Sequence, residues 1–261
     1  MNRPVALVTG ASSGIGEHLA RRLAERGHDL VLVARDQSRL EALAKELEGT
    51  FGAAAQVLPA DLTDPDQLAL IEDRCHDRRA GIDVLVNNAG FGSFGSFHTL
   101  DLDTEVREIH LNVVALVRLT HAALSEMVPR AKGGILNVSS LAGFQPGPMN
   151  AVYGATKAFV TSFTEAVHEE VKGTGVAVTV LCPGFTRTGF QDAANVPQGD
   201  VPAFMWQEAD EVATAGLDAL AKNHAIAIPG PVNKMLGAFS SVTPHAITRR
   251  VGAAVIKRAT H

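Results

Sequence analysis

Val5-Ala6-Leu7-Val8-Thr9-Gly10-Ala11-Ser12-Ser13-Gly14-Ile15-Gly16 decides the fold. A short apolar run leads into a turn of small residues, and a helical pattern follows through Arg26. Strand, glycine turn and helix in direct succession make the first half of a βαβ unit. The three glycines are spaced 4 and 2, not the 2 and 3 of the usual dinucleotide fingerprint. The physics is similar. Small residues let the backbone approach a pyrophosphate, and a helix start offers free N–H groups and positive potential.

Outward from this turn the same alternation repeats. Residues 30–33, 56–58, 84–86, 135–138, 176–181 and 226–228 read as strands. Residues 37–48, 65 to about 79, 104 to about 128, 150–172 and 208–222 read as helices. Continuous apolar strands need a sheet covered on both faces. Alternating strands and helices imply right-handed crossovers and a parallel sheet. The expected fold is therefore α/β: one Rossmann-like, doubly wound domain over residues 1–261, with a mostly seven-stranded parallel sheet. In such sheets ligands sit beyond the carboxyl ends of the strands, so the loops after each strand are where chemistry is sought.

Composition removes several function classes. The chain has 261 residues, 46% apolar and 20% charged, close to globular averages and unlike disordered chains. No apolar run reaches the length of an integral membrane segment. The first strand starts too near the beginning to leave room for a secretory signal. Two cysteines, Cys75 and Cys182, are too few for a disulfide framework or a structural zinc site, which fits a reducing, cytoplasmic setting. The ten histidines are scattered without metal-ligand spacing, so no metal is expected. A net charge of −5 disfavours nucleic acid as a partner. The charge is uneven: residues 219–261 contain six Lys or Arg and no Asp or Glu.

Two further points carry chemistry. The second strand ends in Val33-Ala34-Arg35-Asp36. A cofactor with a free ribose 2′-hydroxyl prefers an acidic residue at that strand end, and Ala34 cannot serve. Arg35 suits a 2′-phosphate through its fork geometry. This reads as NADP(H) preferred, with Asp36 one position on leaving NAD(H) open. The second point is Tyr153-Gly-Ala-Thr-Lys157. A separation of four on a helix puts both side chains on one face. A free phenol has a pKa near ~10, too high for proton shuttling at neutral pH, and a nearby ammonium favours the phenolate. Tyr153 is the only tyrosine in the chain.

Taken together, these residues resemble the short-chain dehydrogenase/reductase family over residues 4–230. The motifs carrying the resemblance, in order, are Thr9-Gly10-x-x-x-Gly14-x-Gly16, Asp61-Leu62, Asn87-Asn88-Ala89-Gly90, Asn112, Asn137-Val138-Ser139-Ser140, Tyr153-x-x-x-Lys157 and Pro183-Gly184. The resemblance implies a catalytic set of Asn112, Ser140, Tyr153 and Lys157. Tyr153 would donate a proton to a substrate carbonyl in reduction and accept it in oxidation. Ser140 would hydrogen-bond the carbonyl oxygen, with Ser139 the weaker candidate. Lys157 would depress the tyrosine pKa and bind the ribose, and Asn112 would hold a water for proton resupply. The same resemblance implies a cofactor set. Gly10, Ser12, Ser13, Gly14, Ile15 and Gly16 would cradle the pyrophosphate. Asp61 and Leu62 would flank the adenine; Asn88, Ala89 and Gly90 would support the central strand. Pro183, Gly184, Thr186 and Thr188 would lie at the nicotinamide. The resemblance further implies a homodimer or homotetramer built through the long helices, here 104–128 and 150–172.

On the substrate side, Phe91, Phe94, Phe97, Phe144, Phe185, Phe190, Phe204, Trp206, Met149 and Met205 all fall in expected loops. Loops are normally polar, so this concentration suggests an apolar small-molecule carbonyl or alcohol substrate, a hydrophobic ketone or aldehyde such as a steroid-like ring, a long acyl chain or an aromatic carbonyl, or aromatics that fill core or interface. Residues 189–207 correspond to a substrate lid and residues 232–261 to a basic C-terminal extension. The expected activity is that of a carbonyl reductase or alcohol dehydrogenase transferring hydride with NADP(H). A 3-oxoacyl-thioester reductase of lipid metabolism and a non-catalytic NADP(H)-sensing regulatory protein on the same fold are the alternatives.

Overall fold

A computed structural model describes residues 3–78, 81–190, 194 and 202–242, with side chains to residue 237. The sequence alternation becomes β1 (Val5–Thr9), α1 (Gly14–Glu25), β2 (Asp29–Ala34), α2 (Gln37–Phe51), β3 (Ala55–Pro59), α3 (Pro65–His76) and β4 (Val84–Asn87). The second half holds α4 (Leu102–Ile109), a π-helical turn at His110–Ala115, α5 (Leu116–Met127), β5 (Gly133–Val138), α6 (Ala151–Glu170) and β6 (Val176–Leu181). A short β7 (Thr186–Arg187) and β8 (Gln207–Glu208) follow, then α7 (Ala209–Ala221), β9 (Ile226–Ala227) and α8 (Pro231–Val242).

The main sheet has seven strands in the order β3-β2-β1-β4-β5-β6-β9. Every pairing is parallel, from Val5 opposite Asp29 to Leu181 opposite Ala227. Successive strand residues point to opposite faces, and each face has its own core. Ala6, Val8, Leu30 and Leu32 pack with Leu19 and Leu23 of α1, Leu40 and Leu47 of α2, and Val212 and Leu217 of α7. Leu7, Val31, Leu85 and Ile135 pack with Leu68 and Ile71 of α3, Leu119 and Met127 of α5, and Val167 of α6. That two-sided burial is why the strands are apolar without alternation.

Polar groups are also built into the centre. Asn87 of β4 donates to Asn137 of β5 at 2.9 Å and to Thr120 of α5 at 3.0 Å. Asn137 in turn donates to Thr164 of α6 at 3.0 Å. This buried ladder locks β4 and β5 to both covering helices.

The structure departs from the sequence expectation in three places. The helix expected over residues 104–128 begins at Leu102, capped by the Asp101 carboxylate, and is interrupted by the π turn that holds Asn112. The expected lid is tied at its base: Thr186 pairs with Gln207 and Arg187 with Glu208, a parallel contact too short to leave a periodic signal. Its residues 191–193 and 195–201 lie outside the described residues, as does the extension beyond Val242. No helix among the described residues is long and apolar enough to cross a membrane.

Candidate active site

The strand order reverses between β1 and β4, and a crevice opens there at the carboxyl ends, the place where open α/β sheets bind ligands. Asn88 braces it. Its side-chain amide donates to the Thr9 and Gly10 carbonyls at 3.0 and 3.3 Å, and its backbone N–H donates to the Thr9 hydroxyl at 3.0 Å. The glycine turn is thereby fixed against the end of β4. Gly10 and Gly14 both have positive φ, 65° and 57°, which a side chain would strain. A Cβ on Gly16 would collide with the Gly10 carbonyl and the Asn88 amide. Gly16 therefore lets α1 start hard against the turn.

The helix starts fall into two groups, and α1 is among those, with α6 and α7, that have no side-chain cap. Asp36, Asp64 and Asp101 each cap the helix that follows them by accepting backbone N–H bonds. Ser13, the cap of α1, makes no such bond. The first turn of α1 thus keeps unsatisfied donors and its positive end, and Ser12, Ser13, Gly14 and Ile15 face the cavity.

That cavity measures about 1050 Å³. One end is lined by Arg35, Asp36, Arg39, Asp61, Leu62 and Thr63. The other is lined by Ser140, Tyr153, Lys157, Pro183, Gly184, Thr186, Thr188 and Phe190. Asn88, Ala89 and Gly90 lie between them. Of the residues singled out from sequence, Gly16 and Asn112 stand behind the wall rather than in it. Asp36 is occupied: its carboxylate accepts the Ser38 hydroxyl at 2.7 Å and the Arg39 N–H at 3.1 Å.

At the second end, α6 presents Tyr153 and Lys157 one turn apart. Ser140, just after β5, hydrogen-bonds Tyr153 and also accepts the Ala142 N–H at 3.1 Å. Ser139 is committed elsewhere, donating to the Lys157 carbonyl at 2.7 Å. The Lys157 ammonium donates to the Val138 carbonyl at 2.9 Å and lies 5.7 Å from the Tyr153 ring centre. Asn112 is clamped by the loop after β4. Its amide donates to the Phe91 carbonyl at 2.9 Å and accepts the Phe91 N–H at 3.2 Å, with a further bond to Thr156 at 3.1 Å.

The electrostatics correct one expectation. In the chain alone the tyrosine is not depressed. Burial pushes the Tyr153 phenol up to about 12, against the opposing pull of the Ser140 hydrogen bond. Burial likewise lowers Lys157 to about 8, while Glu108 draws it upward. Both groups are disfavoured in their charged forms because both are taken out of water. Cys182 is pushed up to about 12 by burial, as an inert apolar side chain would be.

Sequence reasoning missed Arg39, Thr63, Thr104, Arg107 and Leu111 along the cavity wall. Arg39 was within reach, lying four positions beyond Arg35 at the start of α2. The aromatic loop residues divide. Phe91 and Phe190 line the cavity, and Phe190 packs on Tyr153 with ring centres 5.4 Å apart. Phe144 packs against buried Val160 and Val180, while Phe97 and Phe204 are exposed. Among the described residues no three His, Cys, Asp or Glu side chains gather as a metal site.

A glycine turn feeding an open helix start, and a buried Tyr–Lys pair in the same crevice, define a dinucleotide-dependent oxidoreductase. The chain belongs to the short-chain dehydrogenase/reductase family: the family model for short chain dehydrogenase matches residues 4–199. The very-long-chain 3-oxoacyl-CoA reductase of Rattus norvegicus is 34% identical over 238 residues, 88% of this chain and 75% of that protein. The Bos taurus protein of the same name is matched over 59% of its length. A short-chain dehydrogenase from Sphingobium yanoikuyae, solved in complex with NADPH, is 37% identical with a TM-score of 0.83, covering 92% of this chain and 96% of that one. The bulky-bulky ketone specific alcohol dehydrogenase from Comamonas testosteroni is 33% identical with a TM-score of 0.79, covering 94% and 97%.

Proposed function

We propose that the protein is an NADP(H)-dependent carbonyl reductase acting on an apolar ketone, with Tyr153 as proton donor. One observation carries the reading: the Ser140–Tyr153–Lys157 cluster shares a cavity with the uncapped start of α1 and with Arg35 and Arg39. The open N–H groups of α1 suit a pyrophosphate. Arg35 and Arg39 suit a 2′-phosphate, while Asp36 is engaged in capping α2. The NADPH in the Sphingobium yanoikuyae relative supports the same choice, and the NAD in a relative from Burkholderia phymatum leaves NAD(H) as the second cofactor.

Bound at this site, the nicotinamide supplies the hydride. The chain does the rest. A phenol at about 12 keeps its proton at neutral pH, the form needed to quench a developing alkoxide. The Ser140 hydroxyl donates to the same oxygen. Lys157 would hold the ribose hydroxyls. Phe91 and Phe190 supply an apolar wall for the substrate. The ketone specificity named for the Comamonas testosteroni relative supports a bulky ketone, and the activity named for the rat relative supports a 3-oxoacyl thioester as the second reading.

Assembly as a homodimer is supported by apolar side chains left exposed on the long helices: Leu102, Val106 and Ile109 on α4 and Phe159 on α6. Two buried, unbridged thiols, Cys75 and Cys182, support a reducing, cytoplasmic setting.

The test is oxidation of NADPH and NADH with bulky ketones, aldehydes, quinones and acyl thioesters. NADPH-linked turnover of a ketone is expected. Arg35→Ala should lower NADPH efficiency roughly 10- to 100-fold, the worth of a charge-assisted hydrogen bond, and leave NADH use unchanged. Equal use of both cofactors by the unmodified protein would remove the NADP(H) reading. Binding of NADPH without turnover of any carbonyl would turn the assignment to a cofactor sensor.

A further inference from the structure

Glu105 and Glu108 are both buried in the protein interior, on the inner face of α4. Fully buried carboxylates are rare unless paired. Glu108 has 0% exposure, and neither of its oxygens has a well-formed hydrogen bond. No structural requirement of α4 accounts for it, because an apolar side chain would fill the same place at less cost.

Its surroundings connect it to the reactive groups. Residues 90–93 pass from one to the next. A Cβ on Gly90 would stand 2.9 Å from the Asn112 Oδ1 and 3.5 Å from the Lys157 Nζ. Phe91 clamps both ends of the Asn112 amide. Gly92 backs onto the Tyr153 ring, where a Cβ would be 2.8 Å from Cδ2. Ser93 then turns its N–H and hydroxyl toward Glu108. Asn112 itself lies four residues beyond Glu108 along the same helix.

The groups acting on Glu108 are few. Burial and the neighbouring Glu105 raise its carboxyl to about 7, opposed by Ser93 and by the Lys157 charge from α6. The influence is mutual: Glu108 raises the pKa of both Tyr153 and Lys157.

We propose that Glu108 is the proton store of this site, replacing through Lys157 the proton that Tyr153 gives up in each reduction. The proposal rests on the carbonyl reductase reading. The phenol proton goes to the alkoxide oxygen and leaves a phenolate. The Lys157 ammonium returns a proton to the phenolate, the Glu108 carboxyl returns one to the lysine amine, and solvent returns one to the Glu108 carboxylate. Each turnover thus consumes one hydride and one solvent proton. Glu108 acts through Lys157 and does not touch the substrate.

The experiment compares the unmodified enzyme with Glu108→Gln and Glu108→Asp over the neutral pH range, using NADPH and the ketone turned over fastest. A store must be protonated to deliver, so kcat for reduction falls as pH rises through about 7. In Glu108→Gln that step is expected to vanish and kcat at neutral pH to drop about tenfold. KM and the rate of the first turnover stay unchanged, because Tyr153 starts out protonated. Glu108→Asp should restore part of the step. The carboxyl infrared band of the unmodified protein should disappear as pH rises through the same range, and Glu108→Gln should lack it. An unchanged pH step in Glu108→Gln, a first turnover slowed as much as kcat, or a carboxyl already ionised in mild acid would overturn the proton store alone. Absence of carbonyl turnover in the unmodified protein would overturn the reductase reading and this proposal with it.

Discussion

At the amino end of the parallel sheet a cavity of about 940 Å³ lies among Arg3, Arg26, His28, Asp83, Arg130 and Lys132; at the carboxyl end one of about 1050 Å³ lies between the glycine turn and Tyr153. In size and in number of charged residues they are alike. The use made of the charges differs. At the amino end Arg3 donates to the carbonyls of Ala24, Gly27, Phe51 and Gly52. Arg130 donates to the Ile82 and Glu126 carbonyls. Lys132 pairs with Asp83 at 2.8 Å, and Arg26 with Asp218 at 2.6 Å. Burial lowers the His28 pKa and so disfavours its charged form. At the carboxyl end α1 begins without a side-chain cap, and burial presses Tyr153 and Lys157 toward their neutral forms. A cavity whose polar groups are already satisfied holds strands together. One whose polar groups are poised and incompletely paired is prepared for a ligand.

This contrast can be broken or sharpened by substitution at either end. Tyr153→Phe should have the largest effect. Turnover should fall by roughly 10²–10⁴-fold, while NADPH affinity, read from Trp206 fluorescence, stays close to that of the unmodified protein. A variant that kept its activity would move the chemistry away from the carboxyl end. At the amino end Arg3→Ala should cost about 2 kcal/mol of stability through lost charge-assisted bonds, measured by urea unfolding. Its kcat per folded molecule should be unchanged, and a specific loss of activity would give that cavity a function. Lys132→Ala should do least. Lys132 is an exposed partner in its ion pair, and such pairs contribute about 0–1 kcal/mol. A larger shift in the same unfolding assay would show the amino-end charges to be more strongly coupled than their exposure implies.

The sequence made the two-sided sheet legible because buried parallel strands must be continuously apolar, as residues 5–8 and 176–181 are. The glycine turn was legible because a close approach at Gly16 excludes any side chain. The separation of Tyr153 and Lys157 was legible because four residues close one helical turn. Glu108 was not. On a stretch reading Glu-Val-Arg-Glu-Ile-His, its charge resembles that of any solvated helix face, and only the folded chain shows it buried. The upward shift of Tyr153 was equally hidden. Spacing reports the ammonium nearby but not the loss of water around both groups. The division of the aromatic loop residues between cavity, core and surface depends on loop paths that no periodicity records.

The π turn at His110–Ala115 makes the longest helix sensitive to chain length. An α-helix turns by about 100° per residue, and a π turn absorbs extra chain without unwinding the helical turns beyond it. Removing one residue here would rephase α5 against β4 and β5, or else swing the amide of Asn112 away from Phe91. Insertions and deletions, which exposed loops accept readily, would thus be damaging at a spot that looks like uninterrupted helix. A gap shifted by one position across this segment would assign the wrong side chain to the wall behind Lys157.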